Sequence, residues 1–200
     1  MSGERPFVSI CVPSTGSWKP KTAVHTIALA MKTLCAGAAV VPMGEDQAPI
    51  AEARNQLVRN SLALNVSHIF MLDSDMVVPD DAIVRLLKRD KPIIGATARR
   101  RLPPYQLLGK WGPPLPGVDP DLRQATHLGA AALLIRVEVF RATRPPWFFE
   151  TYAGEQRVGE DINFLHYARD FGFEAWVDLA LSRDVIHLGE IEVKYAMETT

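Results

Sequence analysis

The chain is poor in cysteine, in net charge and in long apolar runs, and each shortage narrows what it can be. Only Cys11 and Cys35 are present, both in apolar stretches and without CxxC or Cys/His ligand spacing. That excludes a cysteine-held metal and predicts two buried free thiols in a reducing, cytoplasmic compartment. The formal net charge is −1 over 200 residues, so no global field steers the molecule toward nucleic acid, although a local basic patch stays compatible. No apolar run approaches the length of a membrane span. The start, Met-Ser-Gly-Glu-Arg-Pro, lacks signal-peptide architecture and leads straight into a strand. Repeats and low-complexity tracts are missing too. With 48% apolar residues the chain is not disordered, and its length suits one domain with one sizeable core.

What is present is concentrated in residues 68–77. His68 to Leu72 is an almost wholly apolar run of strand formers, as expected of a strand covered on both faces. It is followed by Asp73-Ser74-Asp75. Two carboxylates at i and i+2 are costly if the strand continues into a dry core. At the carboxyl end of a parallel strand they make sense as hard oxygen ligands for Mg²⁺ or Mn²⁺, with nucleotide phosphates filling the open positions. Ser74 or Asp75 could instead cap a helix starting near Pro79-Asp80-Asp81.

The first ninety-odd residues alternate between strand and helix patterns. Strands are predicted at 7–12, 38–41, 68–72 and 92–95, and helices at 22–34, 50–64 and 80–88. The 50–64 helix carries Ala53, Leu57, Ser61 and Leu64 along one stripe, and the 22–34 helix has an apolar face. This alternation argues for a parallel, Rossmann-like sheet. The first strand stops at Pro13-Ser14-Thr15-Gly16, which either meets a base or ribose at the sheet edge or simply turns the chain. Arg54 and Asn55 lie near a helix start, where an arginine opposes the macrodipole and needs a partner: Glu52, Asp46 or a bound nucleotide.

After Gly95 the pattern changes. Residues 98–120 hold Arg99, Arg100 and Arg101, many prolines, Tyr105 and Trp111, without periodicity. Such a segment is functional or mobile, its arginines a solvated face or a substrate contact. Residues 127–136 read as one strand entered through Gly129 and small alanines. A helical turn at 137–142 precedes Trp147, Phe148 and Phe149, which form core or floor a sugar subsite. Gly159-Glu160-Asp161 opens an amphipathic helix over 162–171, ended by Gly172 as its C′ residue. The carboxylates there suit the helix dipole whatever else they do. A last strand is expected at 173–177, then an extended piece at 184–189 carrying His187.

Taken together, the order Pro13-Ser14-Thr15-Gly16, Ala53-Arg54-Asn55, Asp73-Ser74-Asp75, Gly129, Gly159-Glu160-Asp161 and His187 resembles a GT-A-fold glycosyltransferase. The likeness is to the compact kind related to family-two enzymes and often carried by phages, and it covers nearly the whole chain. It implies a single α/β GT-A domain, a mostly parallel central sheet with helices on both faces. Residues 1–97 would form the nucleotide-sugar half, 98–126 a flexible loop, and 127–200 the acceptor and catalytic half. The activity implied is hexosyl transfer from a nucleotide sugar, with UDP as nucleotide, to a hydroxyl acceptor with inversion. By the same resemblance Asp73, Asp75 and His187 would hold Mn²⁺ or Mg²⁺. Pro13, Ser14, Thr15, Gly16, Arg54, Asn55, Asp73, Ser74 and Asp75 would bind the donor. Asp161 would be the general base, seconded by Glu160, and Gly129, Trp147, Arg99 and Arg101 would meet the acceptor.

The chain departs from that family in its shortness, and in having only Glu45 or Asp46 to offer for the acidic residue between the first two strands. A run ending in Asp73-x-Asp75-x-Val77 also fits the first motif of haloacid-dehalogenase phosphatases, with Asp73 as nucleophile. There the motif follows the first strand, whereas two strand–helix units precede it here. A non-catalytic nucleotide-binding module is the third reading. For the transferase, a polysaccharide, a protein, a small metabolite or a hydroxylated DNA base would each serve as acceptor.

Overall fold

A computed structural model describes residues 5–16, 18–46 and 48–189, together with the backbone of 192–194. Its elements are β1 (Phe7–Pro13), α1 (Pro20–Cys35), β2 (Ala39–Glu45), α2 (Ile50–Ala63), β3 (His68–Leu72), β4 (Met76–Val77), α3 (Ala82–Arg89) and β5 (Ile93–Gly95). Then come β6 (Gly109–Trp111), β7 (Leu122–Leu128), β8 (Ala132–Arg136), α4 (Val137–Ala142), β9 (Thr151–Ala153) and β10 (Gln156–Val158). The chain ends with α5 (Glu160–Asp170), β11 (Ala175–Asp178), α6 (Leu179–Ser182), β12 (Ile186–Leu188) and β13 (Glu192–Lys194).

The central sheet has eight strands in the order β2-β1-β3-β8-β5-β11-β7-β6. β1 pairs in parallel with β2 and β3, and β5 with β11. β8 runs against β3 and β5, and β7 against β11 and β6. Period-two alternation sends Val8, Ile10 and Val12 to one face with Leu29 of α1 and Ile83 and Leu86 of α3. Cys11, Ile69 and Met71 face the other way, toward Leu57 of α2, Phe140 of α4 and Phe164 of α5. Helices therefore cover both faces of a mixed sheet in which all strands but β7 and β8 run the same way, in keeping with the expected architecture. Among the described residues no helix is long and apolar enough to cross a membrane.

Several local readings change. The single strand expected at 127–136 is the end of β7, a turn, and β8. Gly129 and its alanines let the chain leave one place in the sheet and re-enter between β3 and β5. The aperiodic stretch after Gly95 contains β6 and an Arg99–Leu107 bridge, both made by pairing that leaves no local pattern. The strand at β11 is not the last, since β12 and β13 follow, and β12 pairs with the short β4. Cys11 is buried, but Cys35, in the last turn of α1, is exposed. α1 itself buries Thr22, Thr26 and Thr33 beside Leu29 and Ala30, and exposes Val24, Ile27, Met31 and Leu34. The hydroxyls of Thr26 and Thr33 are satisfied by donating to carbonyls one turn back, at 2.8 and 2.7 Å. At the end of α2, Leu64 is likewise exposed rather than on the buried stripe.

α5 ends as its sequence requires. Gly172 has φ +85°, and Gly172 and Phe173 donate to the carbonyls of Arg169 and Ala168, a Schellman closure that a residue with Cβ resists.

His68, at the start of β3, makes stability pH-dependent. Burial, then the neighbouring Arg136 guanidinium, pushes its imidazole down to about 4 from an ordinary 6.5. Above pH 6.5 the residue is neutral in both states. Below it, the unfolded chain takes a proton that the folded one refuses, so stability is lost as pH falls from 6.5 through about 4. The loss is at most about 3 kcal/mol, less whatever solvent screens. Urea unfolding at stepped pH should show this slope, and His68→Gln should flatten it. An unchanged slope in the variant would assign the effect to other groups.

Candidate functional site

β1 and β3 are adjacent and parallel, so both end on the same edge of the sheet. A cleft of about 260 Å³ opens there, lined by Pro13, Ser14 and Thr15 from the end of β1 and by Asp73, Ser74 and Asp75 from the end of β3. Lys19 and Arg101 add two cations to its wall. Ser14 closes the β1 turn, accepting from the Gly16 amide at 3.1 Å and donating to the Gly16 carbonyl at 2.7 Å. The Lys19 amide donates to the Ser74 carbonyl at 3.1 Å, tying this turn to the acidic one.

The two aspartates diverge. Asp75 accepts from Arg101 at 2.9 Å and lies 3.3 Å from Nε2 of His187. Pairing of β4 with β12 sets Met76 opposite His187 and so brings the histidine to the acidic turn. Nδ1 of His187 lies 2.7 Å from the Arg99 carbonyl, an acceptor, which fixes the ring's orientation with Nε2 toward Asp75. Burial alone would raise the Asp75 carboxyl, but the His187 hydrogen bond and the charges of His187 and Arg101 outweigh it and hold it low. Burial likewise lowers His187, and the Asp75 carboxylate and Arg99 carbonyl override it upward.

Asp73 turns instead to Arg54, 2.7 Å away. Arg54 is 3% exposed and also pairs with Glu160, so one guanidinium joins the DxD turn to the first turn of α5. Its Nε has no hydrogen-bond partner among the described residues, and its guanidinium carbon lies 5.8 Å from the Phe148 ring centroid. Arg54 therefore finds two carboxylates, neither of them Glu52 nor Asp46.

The donor set tests whether a divalent cation fits. Among the described residues no three His, Cys, Asp or Glu side chains are grouped to hold one. A carboxylate and an imidazole do converge, and the ring nitrogen not facing the pair is held by a backbone carbonyl, as metal-binding histidines require. A cation would therefore take Asp75 and His187 as ligands and draw the rest from water or phosphate oxygens, while Asp73 answers to Arg54.

A second cleft, about 640 Å³, shares Asp73 with the first and is lined by Gly129 and Asp161. Asp161 lies in the first turn of α5, where its Oδ1 accepts from the Ile162 amide at 2.8 Å. Two glycines make room for it. A Cβ on Gly129 would sit 3.5 Å from Oδ2, and one on Gly159 only 2.8 Å from Oδ1. Glu160, one residue earlier, is buried against Arg54.

Other expected site residues fall elsewhere. Asn55 is buried and clasps the 147–148 backbone: its amide donates to the Phe148 carbonyl at 2.7 Å and accepts from the Trp147 and Phe148 amides. Trp147 is in the core, 4% exposed, edge-on to Phe140 with its indole donating to the Phe140 carbonyl. Neither lines either of the two clefts. Arg99 donates to the Tyr105 carbonyl at 2.8 Å and serves the site through its own carbonyl. Lys19 was missed by sequence reasoning; its place between the Gly16 turn and Pro20 at a helix start was the available signal. Arg100, in the arginine run expected to be a solvated face or a substrate contact, is on the wall of the larger cleft; Lys110, His127 and His166 beside it were missed, having no motif around them.

The fold is shared with solved structures. The chain is similar to A197 from STIV over 98% of its own length and 97% of that chain, at 12% identity and a TM-score of 0.63. It is also similar to a mutant of Drosophila beta-1,4-galactosyltransferase 7 in complex with manganese, UDP-Gal and xylobiose. That match covers 91% of this chain and 71% of the other, at 14% identity and a TM-score of 0.55. No protein-family model and no curated protein sequence matches the chain. Likeness at these identities is a likeness of fold, and the chain has a GT-A-like mixed α/β fold.

Proposed function

We propose that the protein is a metal-dependent glycosyltransferase that moves a hexose from a UDP-sugar to a hydroxyl acceptor with inversion. One observation carries this: Asp75 and His187, 112 residues apart in sequence, meet at the end of the DxD strand with the imidazole Nε2 toward the carboxylate. The galactosyltransferase of similar fold, solved with manganese and UDP-Gal, supports it.

In this reading the smaller cleft takes the nucleotide, with the 13–15 turn against the nucleoside and Lys19 and Arg101 toward the diphosphate. A Mn²⁺ or Mg²⁺ ion held by Asp75 and His187 would neutralise charge on the leaving diphosphate. Asp73, fixed by Arg54, stands between the two clefts. The acceptor enters the larger cleft beside Asp161. Its oxygen bonds to the anomeric carbon as the bond from that carbon to the phosphate oxygen breaks, and its proton passes to the Asp161 carboxylate. Nucleoside diphosphate leaves. The phosphatase reading loses its footing, because the acidic turn follows the third strand and Asp73 is held in an ion pair.

The segment 98–118 is proposed to close over bound donor. Arg101 reaches Asp75, and the Arg99 carbonyl braces His187, so ligand at that turn pulls directly on the segment. Amide exchange across 98–118 should slow when UDP-sugar and Mn²⁺ are added; equal exchange with and without them would make it a passive loop. The reaction class itself is tested by offering a panel of nucleotide sugars with Mn²⁺ and recording which is slowly hydrolysed. Hydrolysis of none would contradict it.

A further inference from the structure

We propose that the larger cleft selects an anionic acceptor, a hydroxyl compound carrying a phosphate or carboxylate group that Arg100 and Lys110 hold while its hydroxyl faces Asp161. This deepens the transferase reading and rests on it for the role of Asp161.

The charges in the cleft sort themselves by partner. Asp73 is held by Arg54, and Arg157 is held by Glu150, with Nε to Oε2 at 2.8 Å. Arg100 and Lys110 line the cleft, both exposed, and among the described residues neither is in an ion pair. What remains to meet a ligand is one carboxylate, Asp161, and two cations on the β6 side. Lys110 is central in β6 and stands opposite His127 of β7. Arg100 belongs to the segment that returns to β6, fastened where the Arg100 amide donates to the Gln106 carbonyl at 2.9 Å.

His127 stands beside Lys110, and Asp161 opposes the shift of its imidazole. Burial first, then Lys110, His166 and Arg169, hold its imidazole below the ordinary histidine value. His127 and His166 meet edge to face, centroids 5.6 Å apart, and His166 lies on α5 with Asp161. Composition points the same way. Among the described residues no phenylalanine, tyrosine or tryptophan lines the cleft, so it lacks the aromatic platform on which a neutral sugar ring packs. Its walls offer donors for a fixed anion instead. The anion takes no part in bond making; it places the hydroxyl beside Asp161.

The test uses three probes differing mainly in charge: glucose, glucose 6-phosphate and glucuronate. Each is titrated into ¹⁵N-labelled protein held with saturating UDP and Mn²⁺, following the amides of 108–111 and 126–129. One or both anions should bind at least about tenfold more tightly than glucose. The preference should shrink as salt rises from 0.05 to 0.5 M, and disappear in Arg100→Gln/Lys110→Gln, whose sites are on the surface. Preference for only one anion identifies the charged group of the acceptor. Equal binding of charged and neutral probes overturns the proposal, as does a preference unmoved by salt or by the double substitution. Failure of UDP and Mn²⁺ to bind overturns the transferase reading separately, and the anion preference can still be measured on the protein alone.

Discussion

Asp161→Asn should reduce sugar transfer by about 10²–10⁴ while leaving donor binding almost unmoved. The substitution keeps the shape of the side chain and an oxygen to accept from the Ile162 amide, so the first turn of α5 stays intact. It removes only the carboxylate's ability to take the acceptor proton as the new bond forms. Asp161 lines the larger cleft and not the smaller one, which is why the loss belongs to turnover and not to donor affinity. Steady-state kinetics on the donor whose hydrolysis is found, together with nucleotide titration, separates the two. Near-normal transfer, or outright loss of donor binding, would remove Asp161 from the role of base.

Arg54→Met should be the most destabilising single change in the site, costing about 3–5 kcal/mol. The arginine side chain is 4% exposed and that of Glu160 10%, so water cannot take over the charge left behind. Asp73, 30% exposed, suffers less. Removing both ends of the inner pair distinguishes charge from packing: Arg54→Met/Glu160→Leu should recover most of the lost stability, since two buried charges then vanish together. Activity should stay low in the double variant, because Asp73 and the start of α5 have lost the group that ties them. Urea denaturation of both proteins decides this. A single variant as stable as the parent would show that the ion pairs contribute nothing.

The legible parts of this molecule are those whose signal is local. The apolar run before Asp73-Ser74-Asp75, the helix stripe of Ala53 and Leu57, and Gly172 at the end of α5 each state their structure within a few residues. The meeting of His187 with Asp75 was expected from a family resemblance, whereas the strand pair that brings it about, β4 with β12, was not read. β6 was hidden for another reason: three residues are too few to show a period, and only pairing with β7 makes them a strand. Arg54 and Asn55 show the limit most plainly. Their position near a helix start was clear, but their partners, Glu160 and the 147–148 backbone, lie on elements about a hundred residues later. α1 misled by its own pattern, because what a helix face buries depends on what the sheet offers it.

The central claim is that the turn after β3 binds a nucleoside diphosphate through a divalent cation. Calorimetric titration of UDP, in Mn²⁺ and in EDTA, tests it most directly. The account predicts at least tenfold tighter binding with Mn²⁺, and loss of that gain in Asp75→Ala with the fold unchanged by circular dichroism. Equal affinity in EDTA and in Mn²⁺ would contradict it.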